Sequence, residues 1–352
     1  MPAVWVIDPY RAGERSQVLA LAEALAWPFD IKRLRYRNYE LYSNILQRSS
    51  LRGIHRGASA DLTPPWPDLV LSSGFRNEPV CRWIRNQSGG STRIVHVGNP
   101  WADPARFDLV ITTPQYRIPA RDNVLHNSLT LNAVSQQRLR SEAALWEQYY
   151  ADLPAPYTGV LVGGDSGPYT FGKRAAARLA EEVNRLAGRC GGSVLITTSA
   201  RTSQGAAEVL QAGLRAPHRF YLWCADDAGN PYFGILSLAS QLVVTGDSIG
   251  MLSEACSAGK PVYLFDLGRG RHSMQPGAAG NWRDNDWRLG GFLYRLLMRY
   301  LWQKLSRDIR LMHRQVVADG RAAWLGDPAP AAARVGGDMP AAVAAVRNLF
   351  PE

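Results

Sequence analysis

The sequence predicts an α/β protein with two Rossmann-like domains, each built on a parallel sheet, facing an interdomain cleft. Three observations predict it. Short apolar, β-branched runs alternate with helical patterns from the first residues onward. The pattern restarts after a stretch with two prolines and a glycine, DLPAPYTG. Late in the second half, Val243 to Phe265 (VVTGDSIGMLSEACSAGKPVYLF) reads as strand, glycine-bearing turn, helix and strand.

The first half opens on Val4 to Ile7 as a strand, then a loop from Asp8 to Gln17. From Gln17 the pattern VLALAEALA is helical, and Pro28 ends it. Ile31 to Tyr36 alternates apolar and basic residues like a half-buried strand. Residues 37–66 are irregular, with a helix expected over Leu41 to Gln47 and a basic stretch from Arg48 to Arg56. Strands follow at Asp68 to Leu71, Thr92 to Val97 and Asp108 to Thr112, with a helix over Val80 to Gln87. A helix at Ala143 to Tyr150 leads into the DLPAPYTG linker.

In the second half, Val160 to Val162 is a strand and GGDSGPYTFG a glycine-rich loop before a helix at Lys173 to Ala187. Ser193 to Thr197 is a strand, Gly205 to Leu214 a helix, Arg219 to Trp223 a strand, Pro231 to Ser240 a helix and Gln241 to Val244 a strand. Residues 268–291 form a polar, Gly/Arg-rich loop. Leu293 to Val317 reads as one long basic amphipathic helix, and Ala341 to Leu349 as a terminal helix. The expected domains are 1–150, 151–335 and a tail at 336–352 that packs back on the first.

The composition narrows the function classes. The 352 residues carry a formal charge of +10, which suits an anionic ligand, nucleic acid or an acidic membrane surface, although an arginine-rich proteome would produce part of it. Helix-turn-helix and aromatic-interleaved RNA-binding patterns are missing, so nucleic acid is not expected. Cys81, Cys190, Cys224 and Cys256 form neither a CxxC pair nor a Cys/His cluster; they read as buried thiols in a reducing compartment. No apolar run approaches the ~20 residues of a membrane span, and MPAVWVIDPY lacks the pattern of a signal peptide. The expected location is cytoplasmic, with a peripheral contact to the inner membrane open through the basic helix.

Candidate site residues cluster after strands. Gly246 and Gly250 let a backbone approach a ligand, Asp247 or Ser248 can cap the helix, and Ser248 can bond a phosphate oxygen. Met251 lies on the first helical turn, and Glu254 one turn in can accept two bonds from ribose hydroxyls, or simply face solvent. Gly163, Gly164 and Ser166 lie on the glycine-rich loop, with Lys173 and Arg174 at the helix that follows. Thr198 and Arg201 lie on a third loop, where Arg201 either neutralises a diphosphate or sits on the surface. Asp226-Asp227 is adjacent rather than spaced, so no metal and no cofactor is expected. In the first half, Asp8 and Glu14 are the carboxylates of the first loop, and helix-dipole compensation competes with any chemical role. Arg11 could hold an acidic group, Asn77 and Asn99 could line the cleft, and His96 reads as structural.

The segment TGDSIGMLSEACSAGKPVYLFDL, the loop GGDSGPYTFG, the opening RAGERSQVLALAEAL and the stretches PDLVLSSG and ARFDLVIT together resemble the ELM-type mitochondrial fission factor family. The resemblance runs over residues 4–325. It implies a GT-B-type arrangement, with a nucleotide-sugar donor on the C-terminal lobe and a polysaccharide or lipid-linked acceptor on the N-terminal lobe. The Val243 to Phe265 segment is more distantly similar to the donor site of the lipid II-forming N-acetylglucosaminyltransferases, which implies a ribose-binding role for Glu254. The resemblance further implies an inverting, metal-independent glycosyltransferase with Asp8 or Glu14 as base. Here this chain departs from the family, which commonly has RAGH where RAGE stands. A non-catalytic binding or scaffold protein of membrane or envelope organisation is the competing expectation.

Overall fold

The computed structural model describes residues 1–37, 49–225, 229–300, 307–330 and 335–351. The expected helix at Leu41 to Gln47 and the Asp226-Asp227 pair lie outside these residues. The chain divides into two units, residues 1–133 with 338–352, and residues 134–337.

The first unit holds a six-stranded parallel sheet of β1 (Val4–Ile7), β2 (Phe29–Lys32), β3 (Leu69–Ser73), β4 (Arg93–Val97), β5 (Leu109–Thr112) and β6 (Val124–His126), in the order β2-β1-β3-β4-β5-β6. Its strands read as continuous apolar runs because both faces are covered. Val4, Val6, Leu69, Leu71, Val95 and Val97 pack under α1 (Ala12–Leu25), and the alternate Trp5, Ile7, Val70, Ile94 and Val110 pack against α2 (Glu78–Gln87). The period of two along each strand therefore feeds two separate cores.

The second unit repeats the plan with β7 (Tyr157–Leu161), β8 (Ser193–Thr197), β9 (His218–Tyr221), β10 (Gln241–Thr245), β11 (Val262–Phe265) and β12 (Ala323–Trp324), in the order β12-β11-β10-β7-β8-β9. Its helices are α3 (Gln136–Trp146), α4 (Lys173–Cys190), α5 (Gln204–Gly213), α6 (Tyr232–Leu238), α7 (Ile249–Ser257), α8 (Leu289–Tyr300) and α9 (Arg310–Ala318). The long helix α4 buries Ala175, Ala176, Leu179, Ala180, Val183, Leu186 and Ala187, one stripe of helical spacing. The last helix, α10 (Met339–Arg347), returns to the first unit: Ala342 and Val346 enter the core under α1, and Arg347 donates to the Leu25 carbonyl at 3.1 Å.

Several elements differ from the sequence expectation. The helix α1 begins at Ala12, not Gln17, so Glu14 lies in its first turn rather than on a loop. The expected helix over 143–150 is α3 at 136–146, followed by a short 3-10 turn, because Ser135 accepts from the Arg138 amide and starts the helix earlier. That helix belongs to the second unit, where the Arg138 guanidinium lies 3.6 Å over the Phe233 ring. The expected linker is built into this unit as well: the Tyr157 hydroxyl donates to the carbonyls of Tyr150 at 3.0 Å and Leu153 at 3.2 Å. The helix expected over 293–317 is not continuous, since residues 307 and 308 are not helical. The Asp308 carboxylate accepts from the Arg310 amide at 3.2 Å, starting a new helix, α9. The cysteines also divide: Cys81 and Cys256 are buried, whereas Cys190, closing α4, and Cys224, past β9, are exposed. The short edge strands β6 and β12 escaped the sequence reading, their apolar runs being too brief to register.

Candidate site at the carboxyl edge of the second sheet

The order of the second sheet reverses between β7 and β10, from which the chain runs outward to β9 on one side and β12 on the other. Such a switch point opens a crevice at the carboxyl ends of the strands. Three of the predicted loops meet there, after β7, β8 and β10.

Asp247 stands at their centre. It is buried, and its Oδ2 accepts from the Gly164 amide at 2.9 Å and pairs with Arg201 Nη1 at 3.0 Å. The Gly163 amide donates to Thr245 Oγ1 at 2.8 Å. A Cβ at Gly163 would lie 2.3 Å from the Asp247 carboxylate, and one at Gly164, whose φ is +152°, would lie 2.1 Å from the Arg201 carbonyl. Only glycine permits this approach. Burial pushes the Asp247 carboxyl up, and Arg201 opposes the shift. Its Oδ1 is buried with no hydrogen-bond partner among the described residues.

The amides of Gly163 and Gly164, expected to face a ligand, are thus taken by Thr245 and Asp247. Ser166 is buried and accepts from Arg307 at 2.7 Å. Thr198 is buried as well, its hydroxyl accepting from the Trp223 amide at 2.8 Å. The start of α4, where Lys173 and Arg174 were expected beside a diphosphate, is filled by another carboxylate. Asp286 accepts from the amides of Gly172 at 3.1 Å, Arg174 at 3.1 Å and Ala175 at 2.9 Å.

The start of α7 is different. Ser248 makes no side-chain cap and the first turn holds no acidic residue. Gly250 is exposed, and a Cβ there would meet nothing within 4 Å. Gly246 is packed from behind by Met274 and by His313, whose Nε2 lies 2.6 Å from the Gly246 carbonyl. Its missing side chain serves that packing, not access. Met251 is half-buried on the same turn. Glu254, one turn further, receives the Tyr232 hydroxyl on Oε2, and burial pushes its carboxyl up to about 7. His313, Tyr232 and Asp286 were missed: their partners lie 67, 22 and 111 to 114 residues away, with no local pattern to announce them.

In the first unit, the sheet order reverses between β1 and β3, and the predicted residues gather at that point. Asp8 is held by Arg15 at 2.8 Å and Arg33 at 3.8 Å. Glu14 lies 3.6 Å from Arg11, which is exposed, and against the Cα of Gly74, where a Cβ would come within 2.7 Å. Asn77 is buried and ties the two strand ends, donating to the carbonyls of Ile7 at 3.0 Å and Ser73 at 2.9 Å while accepting from Tyr36. It is therefore a structural clamp, not an open contact. Asn99 Oδ1 accepts from the Trp101 amide at 3.0 Å in the loop after β4. His96 is buried beside Ser72 at 3.0 Å, and burial lowers its pKa to about 3. Among the described residues no group of three or more His, Cys, Asp or Glu could hold a metal.

Residues 12–284 match the family described as Mitochondrial fission ELM1. The chain belongs to the mitochondrial fission ELM1 family. A curated relative, Mitochondrial fission protein ELM1 of Arabidopsis thaliana, is 28% identical over 238 residues, 61% of this chain and 55% of that protein. The match thus spans about half the length of the plant ELM1 protein. Uncharacterized protein RP120 of Rickettsia prowazekii (strain Madrid E) is 24% identical over 294 residues, 74% of this chain and 82% of the relative. Among solved structures, the S. aureus MnaA-UDP co-structure is 13% identical with a TM-score of 0.49, covering 100% of this chain and 98% of that one. In this ELM1-family chain, no described helix is long and apolar enough to cross a membrane.

Proposed function

We propose that this chain is a glycosyltransferase of GT-B type that binds a nucleoside-diphosphate sugar, UDP-linked in the first instance, at the β7/β10 switch point. The observation that carries the reading is the open, uncapped start of α7 with Glu254 one turn behind it. A helix start of this kind offers free amides and the positive end of the helix dipole to phosphate oxygens. Glu254 Oε1 then accepts from a ribose hydroxyl beside the Tyr232 bond. Arg201 neutralises the diphosphate by exchanging its Asp247 partner for the ligand, since its side chain is exposed.

In the transfer, an acceptor hydroxyl oxygen attacks the anomeric carbon, its proton passes to a carboxylate, and the bond from that carbon to the diphosphate oxygen breaks, releasing the nucleoside diphosphate with inversion. The proposed base is Asp8 or Glu14, of which Asp8 is paired with Arg15 and Arg33 and Glu14 with Arg11. The acceptor class proposed is a cell-envelope polysaccharide or a lipid-linked sugar.

One observation favours the non-catalytic alternative, a binding or scaffold protein of this family: Thr245 and Asp247 already use the glycine-loop amides that would hold a diphosphate. Thermal denaturation with UDP, GDP and UDP-sugars separates the two. Ligand at a hundred times its Kd adds ~2.7 kcal/mol of stability. A nucleotide shift that Glu254→Ala removes supports the transferase site, and no shift with any nucleotide supports the scaffold.

A further inference from the structure

Helix α8 is inverted in its polarity. Leu289, Phe292, Leu293 and Leu296 fall at the i, i+3, i+4, i+7 spacing of a helix face that normally turns to a core. They are 58%, 50%, 47% and 46% exposed. Trp287, 72% exposed, and Trp282, 40% exposed, stand on the segment that leads into the helix.

The cationic side of the same segment turns inward, onto the glycine-rich loop. Arg288 donates to the Gly167 carbonyl at 3.2 Å and pairs with Asp165 at 3.3 Å. Arg295 donates to the Pro168 carbonyl at 2.6 Å and lies 3.2 Å from His272 Nδ1. These contacts fix the orientation of α8, so the apolar stripe is held outward by specific bonds.

We propose that this stripe, with Trp282 and Trp287, docks the protein on the surface of an anionic lipid bilayer. Leucine and phenylalanine supply the area that enters the headgroup boundary, and tryptophan prefers that depth. The charge beside Trp282 matches. Exposed Arg271 and Arg283 lie 4.0 Å and 5.7 Å from the Trp282 ring, placing cations where anionic headgroups would meet them. A second copy of the chain fits less well: an isologous contact would set these arginines against themselves on a protein of net charge +10. The sequence left two readings open for the basic helix expected over 293–317, a contact with anionic lipid and a core helix with a solvated basic face. The structure buries α9 through Met312, His313 and Val316, in line with the core-helix reading, and the proposed contact falls to the apolar stripe of α8. The inference is independent of the donor-site reading.

The test is co-sedimentation of the full chain with large unilamellar vesicles of phosphatidylcholine, with and without phosphatidylserine, at low and high salt. The expected result is binding to the phosphatidylserine vesicles that weakens with salt. Leu293→Glu/Leu296→Glu should lower the partition coefficient roughly a hundredfold, about tenfold for each buried side chain lost. Arg271→Glu/Arg283→Glu should remove the preference for phosphatidylserine. These positions are exposed, and an unchanged melting temperature and circular dichroism spectrum verify that each variant is folded. The proposal is overturned if the parent protein binds neither vesicle, or if the leucine variant binds as well as the parent. It is equally overturned if sedimentation velocity shows a parent dimer that the leucine variant converts to monomer.

Discussion

Asp247 and Arg201 form a pair of unequal burial: Oδ2 and Nη1 are 3.0 Å apart, the Asp247 side chain fully enclosed and the Arg201 side chain 40% exposed. The pair closes the β7/β10 switch point, because the same oxygen accepts from the Gly164 amide. Arg201 also donates to the Asp165 carbonyl at 2.9 Å, so one arginine links the loops after β7, β8 and β10.

Removing Arg201 leaves a buried carboxylate with a weaker set of partners. Arg201→Ala should destabilise the protein by about 1–2 kcal/mol, below the usual figure for a buried pair because solvent screens the exposed partner. Asp247→Asn in the same background should recover most of the loss. Urea denaturation of the two single variants and the double variant checks this; strict additivity would show that the pair is not coupled.

Gly164 should tolerate no side chain. Gly164→Ala drives its Cβ into the Arg201 carbonyl and should cost about 3 kcal/mol. Gly250→Ala is the control. Its Cβ meets open space within a helix, so it should be neutral or stabilise by up to about 1 kcal/mol. Melting temperatures of the two variants should move in opposite directions or differ by several degrees.

Glu254 and His313 set opposite pH limits. The Glu254 carboxyl is raised from 4.5 to about 7 by burial, so its contribution to stability is full below pH 4.5 and is lost as pH rises through 7. Glu254→Gln keeps a partner for Tyr232 and removes this loss. At about pH 8 it should be more stable than the parent by up to about 3 kcal/mol, and the gap should close near pH 5. His313 is lowered from 6.5 to about 4 by burial, so its contribution is present above pH 6.5 and is lost as pH falls through 4. Thermal melts across pH 4 to 9, roughly the span of both transitions, should show Glu254→Gln flattening the alkaline limb and leaving the acid limb unchanged.

Asp286 caps α4 from 111 to 114 residues away. Asp286→Ala should cost about 1–2 kcal/mol, since three amides at the helix start lose their acceptor. Asp286→Asn should cost less. Hydrogen exchange at Gly172, Arg174 and Ala175 reads the effect directly, and unchanged protection there would contradict the cap.

Much of the architecture was legible because it is local. VWVI, LVLSS and QLVVT are strands in any parallel sheet buried on both faces, and the stripe along α4 needs only its helical spacing. The glycine turn before α7 announced itself the same way, as did the placement of the candidate residues after strands. Strand order was not legible, for nothing in VVT says that β10 lies beside β7 and not beside β9.

The sequence by itself determined the elements, their alternation and the residue types at each loop, since propensity and periodicity act over a few neighbours. Tertiary structure alone decided what those residues do. It gave the Gly164 amide to Asp247 rather than to solvent, gave the start of α4 to Asp286, closed Asn77 over two strand ends and left the start of α7 open. The reason is physical: a buried donor takes whichever acceptor the packed fold brings within 3 Å or so, and that choice is made between segments a hundred residues or so apart, where no local pattern reaches.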